Sequence, residues 1–292
     1  MQRYLLRARF GSEASWGLHE GDRFLVPVDR KAFPPDSPES MLKLWAERDR
    51  TSLEWVEPPS TFLSPLPIHR IFCPAVNFRM HGKEAHMEVP SEPYFFLKFP
   101  SSVVPHGGSV VLPHQVTQAD YEGEIGIVVG RRGKHWDRKE AEEAIFGYTI
   151  VDDVSLRDYQ FREAPRYGKN WVMGKAFDDS FPIGPWILPR EDAPDFSFTI
   201  ETKVNGELRQ SGSTEDMIFS PGELLSYLSE VNTLAPGDVV TTGTPSGVAA
   251  HNDRRYLRAG DVVEIEVSRI GTLLHHISVE EMSPTQRTRS PR

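Results

Sequence analysis

Apolar positions along this chain recur mainly in short runs with a period of two, and Gly, Pro, Asn or Asp closes most of the runs. That pattern predicts strands joined by turns. Gly107-Gly108 precedes residues 109–112, Pro236-Gly237-Asp238 precedes 239–242, and Ala259-Gly260-Asp261 precedes 262–267. Asn205-Gly206 separates 199–204 from 207–210, the dipeptide a tight hairpin needs because both positions adopt positive φ. Near the start, 3–10 and 23–28 also read as strands. Helical spacing is rarer. Ser220-Pro221-Gly222-Glu223 sets Ser at the N-cap, Pro at the first helical position and Glu where it closes a capping box. Leu224, Leu225, Leu228 and Val231 then recur at helical spacing. Two further helices are expected near 39–47 and 139–144. The expected class is mainly β with some α.

Pro58, Pro59, Pro65 and Pro67 forbid a helix or central strand across 57–67, so the sequence predicts a small α+β N-terminal domain at 1–66. The main domain would span 67–281. Residues 282–292 are polar and basic with two prolines, and are expected to form a disordered tail.

Composition narrows the partners. A net charge of −9 argues against nucleic acid or an anionic membrane surface, which both require a basic face. Cys73 is the sole cysteine, which rules out an intrachain disulfide and a thiolate zinc cluster. No apolar run is long enough to span a bilayer, and Arg7 and Arg9 interrupt any leader-like segment at the start. A cytoplasmic location is expected.

The chemistry concentrates in a few segments. In residues 120–130, DYEGEIGIVVG, the β-branched run predicts a strand, so Glu122 and Glu124 point to one face. They suit the solvated face of an edge strand, or a buried face where a divalent cation relieves their repulsion. Gly123 and Gly126 suggest that a backbone or ligand approaches closely. The apolar run 146–151 leads into Asp152-Asp153, one of which would supply a third oxygen ligand while the other caps a turn. His81 and Glu84 are three apart, the spacing of a surface pair or of a base and its orienting carboxylate. Lys175 and Lys98 each stand alone in apolar segments, either reaching solvent or facing a pocket. Arg157 and Asp158 are candidates for an ion pair, and His275-His276 reads as strand decoration.

Assembled, these segments resemble the fumarylacetoacetate hydrolase family. The resemblance runs in order through AVNFRMHGKE (75–84), FFLKFPSSV (95–103), DYEGEIGIVVG (120–130), DDVSLRDYQ (152–160), GKAFDDSFPIGPW (174–186), VNGELRQSGSTEDMIFSP (204–221) and TLAPGDVVTTGTPSGV (233–248). It implies a mixed β-roll catalytic domain preceded by a small extra domain, and a homodimer. It implies Mg2+ or Mn2+ (Ca2+ in crystals) held by Glu122, Glu124 and Asp153. His81 and Glu84 would activate water on a mobile lid. Lys175 would sit beside a small anionic 2-oxo acid, with Lys98, Arg157, Gln160 and Thr244 lining the pocket. The expected reaction is C–C hydrolysis of a 2,4-diketo acid of the acylpyruvate type, through an enolate that the cation stabilises. The alternatives are isomerisation or decarboxylation of dienoic diacids, decarboxylation of oxaloacetate, or a non-catalytic binding role. The sequence departs from the resemblance at Val76 and Phe78, and again at 248–253, where relatives often carry glycines. That second loop is expected to shape the substrate pocket.

Overall fold

In the computed structural model, which describes residues 2–281, the alternating segments form two large sheets packed face to face and a two-stranded ladder of Ala119–Asp120 with Ser155–Leu156, with short helices between them. The larger sheet runs in the order Leu53–Val56, Arg23–Pro27, Glu13–Glu20, Arg3–Phe10, Phe181–Pro189, Ile145–Asp152, Gly123–Val129, Asp238–Thr241, Arg70–Pro74 and Phe95–Lys98. Most neighbours are antiparallel, but Asp238–Thr241 lies parallel to Arg70–Pro74, so the sheet is mixed. The second sheet orders Glu207–Ser213, Thr199–Val204, Val262–Val267, Gly271–Val279 and Ser109–Leu112. The chain is mainly β, as its pattern predicts.

The turn signals hold where they were read. Asn205 and Gly206 take φ of 53° and 78°, joining Thr199–Val204 to Glu207–Ser213. Ser220 accepts the Glu223 N–H while Glu223 reaches back to the Ser220 N–H, so both arms of the capping box close on the helix Pro221–Ser229. A second capping box, Asp137 with Glu140, starts the helix Arg138–Glu143.

The N-terminal strands continue the large sheet instead of standing apart from it. Leu5 pairs with Ile187 across the junction. One apolar cluster draws Leu5, Trp16 and Leu18 together with Val128, Val151, Ile183 and Ile187. Glu13–Glu20 is a strand that apolar alternation does not reveal: its register against Arg3–Phe10 runs unbroken from Phe10↔Glu13 to Arg3↔Glu20. The helix Pro38–Glu47 buries Met41 and Leu44 in this cluster. Residues 282–292, expected as a disordered tail, lie outside the described residues. Among the described residues no helix is long and apolar enough to cross a membrane.

Gly123–Val129 lies at the centre of the large sheet, and all seven of its residues are buried. This excludes the edge-strand reading of the glutamates. The two glycines also have a plainer cause than a ligand. A Cβ at Gly123 would lie 2.3 Å from Thr202 Oγ1 of the second sheet, and one at Gly126 would lie 3.0 Å from Thr149 and Val151. The second sheet leaves no room for a side chain at Gly123, and the neighbouring strand of the same sheet leaves little at Gly126.

Candidate active site

Sheet register assembles the acidic cluster. Gly123 pairs with Asp152, so Glu122 and Asp153 fall opposite one another just beyond the ladder, and the Asp153 N–H donates to the Glu122 carbonyl at 3.0 Å. Glu124 is one pleat further along the same strand. Carboxylate oxygens of Glu122, Glu124 and Asp153 lie within 4.8 Å of one another, and all three side chains are buried. Asp153 therefore converges with the two glutamates, although it is about thirty positions away in sequence.

Three cations pack around the cluster. Lys175, at the end of the short helix Trp171–Lys175, donates to Glu122 and, at 2.8 Å, to Asp153 Oδ2. Arg157 donates to Glu122 Oε1 and, at 2.9 Å each, to Asp120 Oδ2 and Gln160 Oε1. Lys98 lies 2.8 Å from Asp153 Oδ1. The electrostatics then split the two glutamates. Burial alone would raise Glu122, but Lys175 and Arg157 hold it far below the usual carboxylate range. Glu124 is pushed well up by burial and by the charges of Asp153 and Glu122, and its Oε2 accepts the Gly243 N–H at 2.9 Å. Asp153 Oδ1 faces the Lys98 ammonium at 2.8 Å, while Oδ2 faces Lys175. Three converging buried carboxylates, one of them a glutamate forced toward its neutral form by burial and by the other two, are what a hard divalent cation would satisfy. The donor set fits such an ion.

A narrow pocket opens on this cluster. Of the residues expected in the site, His81, Glu122, Glu124, Arg157, Gln160, Lys175 and Thr244 line it. His81 is buried, with Nδ1 3.7 Å from Glu84 Oε2, too long for a hydrogen bond. Glu84 is instead fixed by the Gly247 N–H, 3.1 Å from both of its oxygens. Burial opposes its ionisation, but His81 and that N–H outweigh burial and keep the carboxyl low. Thr244 lines the pocket, though its hydroxyl is engaged by the Gly123 carbonyl and the Gln210 amide.

Two expectations are corrected. Lys98, expected against the substrate, stands behind Asp153. It is fully buried and donates to Val154 O, Ser180 O and Ser180 Oγ. Arg157 does not pair with Asp158, which instead accepts the Thr117 N–H.

Several residues that matter went unread in the sequence. Asp120 ties Arg157 to the loop at 249–250 by accepting both backbone N–H groups there. That loop brings His251 to the pocket wall, its ring 6.0 Å from that of His81. Burial, together with Arg157 and His81, lowers the His251 imidazole. His275 is buried, not decorative. Its Nε2 is 2.8 Å from Asp152 Oδ2, while Asp152 Oδ1 accepts the Glu122 N–H at 2.7 Å, so the pair fixes the backbone of a ligand candidate. A bare His in an alternating strand carries no local mark of such a partner.

Residues 70–278 match the family described as Fumarylacetoacetate (FAA) hydrolase C-terminal. The chain belongs to the fumarylacetoacetate hydrolase family. Relatives include oxaloacetate tautomerase YisK from Bacillus subtilis, 36% identical over 280 residues that cover 87% of this chain and 91% of that protein. The human mitochondrial oxaloacetate tautomerase FAHD2A is 38% identical over 220 residues, 74% of this chain and 69% of that one. Among solved structures of this fold, fumarylpyruvate hydrolase from Pseudomonas aeruginosa, in complex with Mn2+ and pyruvate, shares 33% identity at a TM-score of 0.66, covering 73% of this chain and 91% of that one. The family's hydrolases, isomerases and tautomerases mark this chain as an enzyme.

Proposed function

We propose that this chain is a divalent-metal-dependent enzyme that interconverts the enol and keto forms of a short 2-oxo acid. The convergence of Glu122, Glu124 and Asp153 beside Lys175 and His81 carries the reading. The names of the oxaloacetate tautomerase relatives point to the same reaction. Glu122, Glu124 and Asp153 would hold Mg2+ or Mn2+, and the ion would supply Lewis acidity for charge developing on the 2-oxo oxygen. His81 faces the pocket, and its imidazole takes the proton from carbon 3 of the keto form. The C–H electron pair becomes the enol double bond, and the carbonyl electrons move to the oxygen. The Lys175 ammonium stabilises the charge on that oxygen, which takes a proton from solvent to give the enol while the imidazolium returns its proton to solvent. The same steps in reverse restore the keto form. Gly247 holds Glu84 beside His81, where its charge would stabilise the imidazolium.

A second reading is C–C hydrolysis of an acylpyruvate, favoured by the His81/Glu84 pair. There His81 takes a proton from water, the hydroxide attacks the distal carbonyl, and the carbon–carbon bond breaks toward the enolate, which is then protonated. The proposed assembly is a homodimer: the edge strand Phe95–Lys98 and Phe99 beyond it expose Leu97 and Phe99, and the abutting helix Trp171–Lys175 exposes Val172 and Met173.

Turnover of oxaloacetate, acetylpyruvate and fumarylpyruvate, with Mg2+ or Mn2+ and with a chelator, tests the reading beside Glu122→Ala. Metal-dependent tautomerisation of oxaloacetate supports it. Cleavage of the diketo acids without tautomerisation selects hydrolysis, and inactivity toward all three contradicts both readings.

A further inference from the structure

Every cation around the acidic cluster already has an anionic partner, and Lys169 is the cation at the pocket that does not. It lines both the catalytic pocket and an adjoining chamber walled by Ala75, Val76, Met87, Pro90, Tyr94 and Trp171. Among the described residues its single polar contact is the Met87 sulfur at 3.8 Å, a weak acceptor. Its ammonium otherwise lies 5.7 Å from the ring centre of Phe161 and 5.3 Å from that of Trp171. No carboxylate among the described residues pairs with it; Glu88 lines the chamber but forms no ion pair there. Burial and then Arg157 depress its ammonium, Glu122 opposes them and Lys175 adds to them, so the balance is one that an anion at the lysine would relieve. Lys175 and Arg157 are directed at Glu122 and flank the end of the pocket where the acidic cluster lies. A charge entering from the other end meets walls that are mostly apolar, the Glu88 carboxylate and one lysine, and Lys169 is the group there that attracts an anion.

We propose that Lys169 binds the second carboxylate of a short 2-oxo dicarboxylic acid and so selects diacids over monoacids. The proposal rests on the reading that the first carboxylate and the 2-oxo group lie at the acidic cluster. It makes Lys169 a specificity-determining residue with no part in proton transfer. A charge-assisted contact of this kind changes affinity by about tenfold or more.

The test uses two unreactive probes with the Mn2+-loaded protein: oxalate, which has no distal group, and difluorooxaloacetate, which cannot enolise at carbon 3. Calorimetry compares wild type, Lys169→Met and Lys169→Arg. The expected result is about tenfold weaker difluorooxaloacetate binding in Lys169→Met, unchanged oxalate binding, and near-native binding of both in Lys169→Arg. Equal weakening of both probes, no change in either, or a wild type that binds oxalate alone overturns the proposal. A wild type without turnover that still shows the Lys169-dependent diacid preference refutes the enolate reading and leaves the lysine's role standing. An apolar acyl chain as the chamber's true occupant would appear as tighter monoacid binding in Lys169→Met, and this also overturns it.

Discussion

The N-terminal strands and the acidic cluster sit on one sheet and are held by opposite physics. Around Leu5, Trp16 and Leu18 the chain is fixed by apolar burial and aromatic contact: His19 stacks on Phe24 and leans on Trp186, across the junction with Phe181–Pro189. Around Glu122, Glu124 and Asp153 it is fixed by buried charges, each needing a partner. Burying a methyl group lowers the free energy wherever the neighbours fit, whereas burying a carboxylate is tolerated only where something answers its charge. The first region is thus built for stability, and the second retains charges that are costly unless a ligand uses them.

Substitutions that separate these two kinds of region should act differently. The largest effect is expected from Glu124→Ala, which removes a ligand candidate while sparing the cations. Activity should fall by more than about a hundredfold with little loss of melting temperature, checked by steady-state rates beside calorimetric unfolding. Next, His81→Ala should lower turnover by about 100- to 10,000-fold and leave Mn2+ affinity nearly unchanged. Retained turnover would remove His81 from the mechanism. In the other region, Leu5→Ala should cost about 2–5 kcal/mol of unfolding free energy in denaturant, while activity per folded molecule stays native. A proportionate loss of activity would mean that the two regions are coupled.

Smaller still is His275→Leu, which leaves Asp152 buried without its partner. It should cost about 1–3 kcal/mol of stability and weaken Mn2+ binding about tenfold, because Asp152 holds the Glu122 N–H. The smallest effect concerns His19, whose imidazole is lowered first by burial, with Gly21 and Asp22 opposing. The folded chain then binds a proton less readily than the unfolded one. Stability from this group is full above the ordinary imidazole pKa, about 6.5, and declines as pH falls below it. Urea unfolding at several pH values should show that decline in wild type and a shallower one in His19→Phe.

The same division governs what the sequence could tell. Turns and caps are local, so Asn205-Gly206 and Ser220-Pro221-Gly222-Glu223 are readable from adjacent residues. The ligand candidates are nearly as local, because strand alternation aligns Glu122 with Glu124 and a strand end carries Asp153. What alternation cannot supply is the partner across space. Glu13–Glu20 exists because Arg3–Phe10 pairs with it at every position. Lys98 looks like a pocket lysine until its hydrogen bonds are traced to their acceptors, the Ser180 and Val154 carbonyls. His275 becomes structural through Asp152, more than a hundred residues away. Gly123 signals the close approach of a backbone or a ligand, and what approaches is the Thr202 side chain of the second sheet.

Titration of Mn2+ into metal-stripped protein tests the account most directly, followed by calorimetry and by the water-proton relaxation of the bound ion. Wild type should bind one ion per chain, and Asp153→Asn and Glu124→Gln should each lose that binding while remaining folded. Undiminished binding in either variant would show that these carboxylates do not share a cation.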